Sequence, residues 1–348
     1  MGLSIPYDQL WWHWVHGPSR LCRELIRAIP GRGCIFLHHS APLPWAETFR
    51  TLVLEEAESR AGSLRVIQPV DCSGQTLSES DFLARFAPAC AQGFLSTTAL
   101  PAYLDKRGAL DGQIVWLYGL EEGDQAAWAA RLGEFAALPA AGRCAVVLEL
   151  TGKRIQRKKV LTLSADELLR PFDVTQFCTM AVGEGGESSG LMDYLTCLCT
   201  ELTGVNPERL PPLLRVRSAL LEDPVGTVAD LFGLSEGEAV RHVRRAQYKL
   251  LLPLLEDLRV SLLTELSEVC APILPFEDEF GNQCHTACDM ELRHLIHFHN
   301  RGDITVPPEL WEEVRLAYDA RNLLMHQMKP LDFARLRELL SAAARRQP

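Results

Sequence analysis

Between residues 31 and 182, short apolar runs alternate with stretches of helical pattern, and this limits the fold more than any other feature. The runs are 34–37 (CIFL), 64–67 (LRVI), 114–118 (IVWLY), 144–150 (CAVVLEL) and 160–163 (VLTL), with 176–182 (QFCTMAV) as a candidate sixth. Helical patterns lie between them at 45–59, 78–86 and 125–137, and Ser164 with Glu167 has the form of a capping box. Strands that alternate with helices require crossover connections. These produce a mostly parallel sheet covered on both faces.

After residue 182 the pattern changes. The segment 183–190 (GEGGESSG) reads as a linker, and beyond it only helices are expected. They are predicted at 191–202, 210–221, 225–232, 286–298, 307–328 and 332–346, with Asp332 as an N-cap. A long helix over 238–266 is expected to break at Pro253, and 272–282 reads as an acidic loop. The predicted organisation is an α/β region over 1–182, a helical middle region over 191–282 and a second helical domain over 283–348. In the first region, a helix is expected over 18–28, and Trp11, Trp12 and Trp14 are expected to pack onto the domain that follows.

Composition narrows the functional classes. A formal net charge of −10 argues against a surface that coats nucleic acid broadly, while leaving room for a local basic patch. The 11 cysteines are scattered, no signal-peptide pattern opens the chain, and no stretch is apolar for the length of a membrane span. A cytoplasmic setting with reduced thiols and no membrane association is therefore expected.

The first region resembles the nucleotide-binding core of AAA+ and STAND-type P-loop NTPases. That resemblance implies a P-loop-NTPase-like layout with a phosphate loop after the first strand. The corresponding segment here is His38-His-Ser-Ala-Pro-Leu-Pro-Trp45. It lacks the glycines whose amides wrap phosphates and the lysine that neutralises them, and two prolines remove donors. Gly119-Leu-Glu-Glu122, after the third strand, looks like the acidic end of a Walker B strand. The expectation is a degenerate, ATPase-dead domain kept as a scaffold, with no cofactor.

Other candidate residues compete with plainer readings. His38 and His39 stand at a strand's carboxyl end, where open α/β sheets place ligands, but no nucleophile or ligand spacing accompanies them. Cys284, Cys288, His294 and His297 form a conceivable zinc set, with no second cysteine pair, and no metal is assigned. The segment 225–254 has the form of a helix-turn-helix, with Arg241, Arg244, Arg245 and Lys249 on its second helix. A DNA-binding adaptor is one rival reading, set against a solvated bundle face.

The last helices resemble HEPN domains of prokaryotic conflict and defence proteins. The residues that carry the likeness are Glu291-Leu-Arg-His-Leu295 and Asp319-Ala-Arg-Asn-Leu-Leu-Met-His326. In HEPN ribonucleases an arginine followed by a polar residue precedes a histidine, so the resemblance implies Arg321, Asn322 and His326 as candidate catalytic residues. On an ideal helix Arg321 falls on the apolar face, about 140° from His326. Two readings stay open. Either Arg321 is a structural ion-pair residue, with Glu291 a candidate partner, or Arg321 and His326 of two copies form a metal-independent endoribonuclease site. The functional expectation is a non-catalytic regulatory or scaffold component of a prokaryotic defence system that works through protein partners. RNA and homo-oligomerisation are compatible with it, and DNA is a weaker fit.

Overall fold

The computed structural model describes residues 5–31, 33–95, 97–183 and 187–346. They form two compact units, Ser4–Asp173 and the residues from Val174 onward.

The first unit is an α/β domain with a parallel sheet, as the alternation predicts. Its strands are β1 (Cys34–His38), β2 (Arg65–Val66), β3 (Val70–Asp71), β4 (Gln113–Tyr118), β5 (Ala145–Leu150) and β6 (Leu161–Ser164). Their order is β2–β4–β5–β1–β6, with β3 also on β4, and every pairing is parallel. β2 and β3 together are one interrupted edge strand where the sequence suggests a single run at 64–67. Every residue of β1 and β5 is buried. That is expected of central parallel strands covered on both faces.

Side chains alternate between the two faces. Cys34, Phe36, Val115, Leu117, Val146, Leu148 and Leu150 join Phe82, Leu104, Trp128 and Phe135 in one core. On the other face, Trp116 meets Phe49 of the helix Ala46–Ala61 edge-on at 5.9 Å, and Phe49 lies 4.4 Å from Trp12. Trp11 and Trp12, on the helix Tyr7–Trp14, are buried as expected, whereas Trp14 is exposed. Gly119 follows β4 at φ +77°, and a Cβ there would stand 2.3 Å from Ser73 Oγ, so only glycine fits this turn.

Two local readings are corrected here. Residues 176–182 are not a strand but the end of a helix, Pro171–Val182. A short apolar run does not distinguish the two by itself; the helix start is set by Asp173, which accepts the amides of Gly17 and Arg170. Ser164 makes no side-chain cap, because its backbone still belongs to β6.

Among its described residues the second unit is helical apart from a small antiparallel pair, β7 (Phe276–Glu277) in the segment read as a loop and β8 (Gln283–Cys284) just after it. The linker reading of 183–190 falls partly on 184–186, outside the described residues; the next helix, Ser189–Thr203, begins inside that segment. The central element is the helix Glu236–Glu265. Ser235 and Glu238 open it with a capping box. Ala239, Val243, Ala246, Leu251, Leu255, Leu258 and Leu262 bury one stripe of it. Pro253 does not interrupt this helix. An internal proline costs about 3 kcal/mol, and the apolar stripe on both sides of it offsets that cost. Gln247, fully buried, holds Leu331 through both its backbone N–H and C=O at 2.7 and 2.9 Å. The predicted helix 210–221 is two short helices, Leu210–Arg215 and Arg217–Glu222, and 286–298 becomes a 3-10 turn followed by Leu292–Arg301. Asp332 caps the last helix through the amide of Arg335 at 2.9 Å.

Candidate functional site

β1 carries the chain to the carboxyl edge of the sheet, and residues 39–45 lead from it into the helix Ala46–Ala61. This is where the P-loop resemblance expects phosphate donors. The donors of His39 and Ser40 are already in use. His39 N–H donates to Leu150 O at 3.0 Å, and Ser40 N–H donates to both carboxylate oxygens of Asp166 at 3.1 Å. Ser40 Oγ donates to the same carboxylate at 3.0 Å. Pro42 and Pro44 have no amide hydrogen, and the carbonyl of Pro44 accepts Trp12 Nε1–H at 3.0 Å. An internal carboxylate therefore occupies the Ser40 donors of this turn.

A buried polar cluster lies on the helix 46–61 face of the sheet. Arg50 Nε and Nη2 donate to the two oxygens of Glu149 at 2.6 and 2.9 Å. Trp116 Nε1–H donates to Glu149 Oε1 at 2.7 Å. His39 Nδ1 donates to Ala41 O at 2.9 Å, and its Nε2 stands 3.4 Å from Glu149 Oε2 without making a hydrogen bond. The Arg50 guanidinium also lies over the Tyr118 ring at 3.5 Å. Glu149 is 4% exposed and Arg50 9%. Burial pushes the Glu149 carboxyl up. The hydrogen bonds and charge of Arg50, with the nearby His39 ring and the Trp116 N–H, together outweigh it and hold the group below its ordinary value.

This arrangement can hold a charge pair dry, but it offers no nucleophile and no open carboxylate. His38, one residue earlier, projects from β1 toward the opposite face, and its buried Nε2 has no hydrogen-bond partner among the described residues. Asp71, on the edge strand, is held below its usual range by hydrogen bonds from Ser73.

Arg50, Glu149 and Asp166 were not legible as a site. A signal for two of them exists. Glu149 is the lone charge in the run AVVLEL, and Arg50 sits among Phe49, Val53, Leu54 and Ala57 on the buried stripe of its helix. Each is a charge at a core position, and such charges are paired.

In the second unit, the helix with the candidate catalytic residues runs Pro308–Met325, three residues short of the predicted end. Arg321 bonds Glu291, and its side chain is 42% exposed, not buried in the apolar face as the wheel implies. Arg259 completes the surroundings. It pairs with Glu256 and donates to Met290 O at 2.7 Å and Cys288 O at 3.0 Å, tying 288–291 to the long helix. Asn322 accepts the backbone N–H of His326, which is the exposed C-cap residue. Among the described residues, no side-chain hydrogen bond or ion pair links Arg321, Asn322 and His326.

Cys284 is buried with its thiol toward Asp289 O at 3.5 Å, while Cys288 is exposed. His294 Nδ1 accepts the Glu291 amide at 3.1 Å. Burial lowers the His294 pKa, with Arg293 acting the same way. Among the described residues, no group of three or more His, Cys, Asp or Glu is placed to hold a metal ion. On the long helix, His242, Arg245 and Lys249 converge on Glu201 of the helix Ser189–Thr203 at 3.4, 3.3 and 2.7 Å. Arg245 and Lys249 of the stripe read as DNA-facing are thus joined to a carboxylate within their own unit.

No family model and no curated protein matches the chain. Among solved structures, the crystal structure of Cdc6p from Pyrobaculum aerophilum aligns over 98% of this chain and 93% of its own, at 14% identity and a TM-score of 0.28. A score that low carries no argument, and the fold assignment rests on the sheet and helices themselves. Among the described residues, no helix is long and apolar enough to cross a membrane.

Proposed function

We propose that this chain is a nucleotide-independent scaffold: a degenerate P-loop-like α/β domain joined to a helical region, acting through protein partners. One observation carries the reading. The amide and hydroxyl of Ser40, in the turn where phosphate would be expected, are bound to the carboxylate of Asp166. A nucleoside triphosphate would have to displace one negative group with another, in a turn with two prolines and no lysine. The Arg50–Glu149 pair beside it directs its guanidinium inward, away from this turn.

The likeness to STAND and HEPN proteins supports a regulatory part in a prokaryotic defence system. The Arg321–Glu291 bond supports a structural use of the motif arginine over a ribonuclease.

Calorimetric titration of the full chain with Mg-ATP and with ADP tests the proposal. The expected result is no saturable heat and an unchanged melting temperature. Saturable binding with a rise in melting temperature, as a native-state ligand must produce, would overturn it.

A further inference from the structure

The connection between β5 and β6 differs in charge from the rest of the molecule. It reads Thr151-Gly-Lys-Arg-Ile-Gln-Arg-Lys-Lys-Val160 and carries Lys153, Arg154, Arg157, Lys158 and Lys159 with no acidic residue. Five of the chain's 35 basic residues thus fall within seven positions. Taking their five charges from the formal −10 leaves −15 for everything else. A solubilising surface would not concentrate cations in this way.

The structure shows how the segment is displayed. It leaves the carboxyl end of β5, where open α/β sheets offer their ligand edge, and returns to start β6 beyond β1. Ile155 and Val160 pack against the core and pin the strap at two points. Arg157 lays its methylenes against Gly133, where a Cβ would stand 2.9 Å from Arg157 Cγ. All five cationic residues are exposed. Arg154 pairs with Glu167, Lys159 Nζ reaches only Ala137 O at 3.5 Å, and Glu122 is the carboxylate near Gly152. Lys153, Arg157 and Lys158 have no ion-pair partner among the described residues.

We propose that the strap 151–160 docks the phosphodiester backbone of a nucleic acid. Three unpaired cations, Lys153, Arg157 and Lys158, on an anchored segment that bends at 152–153 and turns at 157–160 meet phosphates, and Thr151 and Gln156 add neutral donors of the kind that bind phosphate oxygens. The strap turns both its apolar residues inward and has no aromatic one. It therefore lacks the apolar centre of a protein interface, the wedge of a membrane anchor and the stacking platform of a base reader. Binding is backbone-directed, indifferent to sequence and strongly salt-dependent.

The test is fluorescence anisotropy of the full chain with a short labelled RNA and a labelled DNA duplex, over a range of salt. With three phosphate contacts, log K should fall against log salt with a slope of about −2 on the single strand. The triple variant Lys153→Gln/Arg157→Gln/Lys158→Gln changes only exposed side chains, so its circular dichroism and melting temperature should match wild type. It should bind about tenfold or more weakly, with a slope near zero. Arg60→Gln, an exposed arginine on the helix 46–61 face, should bind as wild type does. Binding unchanged in the triple variant, equal loss in Arg60→Gln, or no binding by wild type at low salt overturns the proposal. Equal or tighter binding to polyglutamate or to anionic vesicles also overturns it, assigning the strap to an acidic protein or a lipid surface. The RNA and DNA arms show which nucleic acid is preferred.

Discussion

Arg50 and Glu149 meet through two parallel hydrogen bonds inside the α/β domain, 99 residues apart in sequence. Their helix and strand carry otherwise apolar core residues, so the pair is the charged centre of an apolar layer. Removing one partner leaves the other buried and uncompensated. Arg50→Ala or Glu149→Ala should each destabilise the domain by about 3–5 kcal/mol in urea unfolding. The double variant should lose clearly less than the two single losses combined, because the residues share one interaction. Additive losses would show that they act independently.

The same carboxylate sets an acid limit. Glu149 has a folded pKa below its unfolded value. Its contribution is fully present above the ordinary carboxylate range and is lost as pH falls through the depressed value. Stability against urea should therefore decline on the acid side. Glu149→Gln should be less stable near neutrality and show a shallower acid decline. An equally steep decline in the variant would assign the acid limit to other groups.

Arg321 bonds Glu291 from a half-exposed position. Such pairs contribute about 0–1 kcal/mol, so Arg321→Ala should shift stability by no more than about 1 kcal/mol. In the scaffold reading, Arg321→Ala and His326→Ala leave a labelled RNA as intact as wild type does. Cleavage by wild type that both substitutions abolish would establish the ribonuclease reading instead.

All eleven cysteines are free thiols, and Cys288 alone is exposed. Burial pushes the Cys22 and Cys144 thiols up to about 12 and those of Cys178 and Cys270 up to about 11. They should remain protonated and unreactive in the native state. A thiol reagent should label one cysteine rapidly, and Cys288→Ser should remove that fast phase. A fast phase that survives the substitution would place a second reactive thiol at the surface.

The alternation of apolar runs and helical patterns was sufficient for the class of the first unit, because a strand buried on both faces and an amphipathic helix differ in period and length. The absence of a phosphate loop was equally plain, since donors and cation must be contiguous in sequence. The segment 176–182 misled because seven apolar-rich residues satisfy both periods, and Asp173, bound to the amides of Arg170 and Gly17, starts the helix upstream of it.

Local composition therefore determined the parallel α/β unit and the helical remainder. Tertiary structure alone decided what fills the turn after β1. Asp166 reaches Ser40 across 126 residues, and Arg50 reaches Glu149 across 99. It also decided the surroundings of the motif arginine, where Arg321 turns to Glu291. Periodicity reports which residues are apolar, but a charge on a buried stripe finds its partner only when distant elements pack. The physical cause is the cost of burying that charge alone, which depends on the assembled core and not on neighbouring residues.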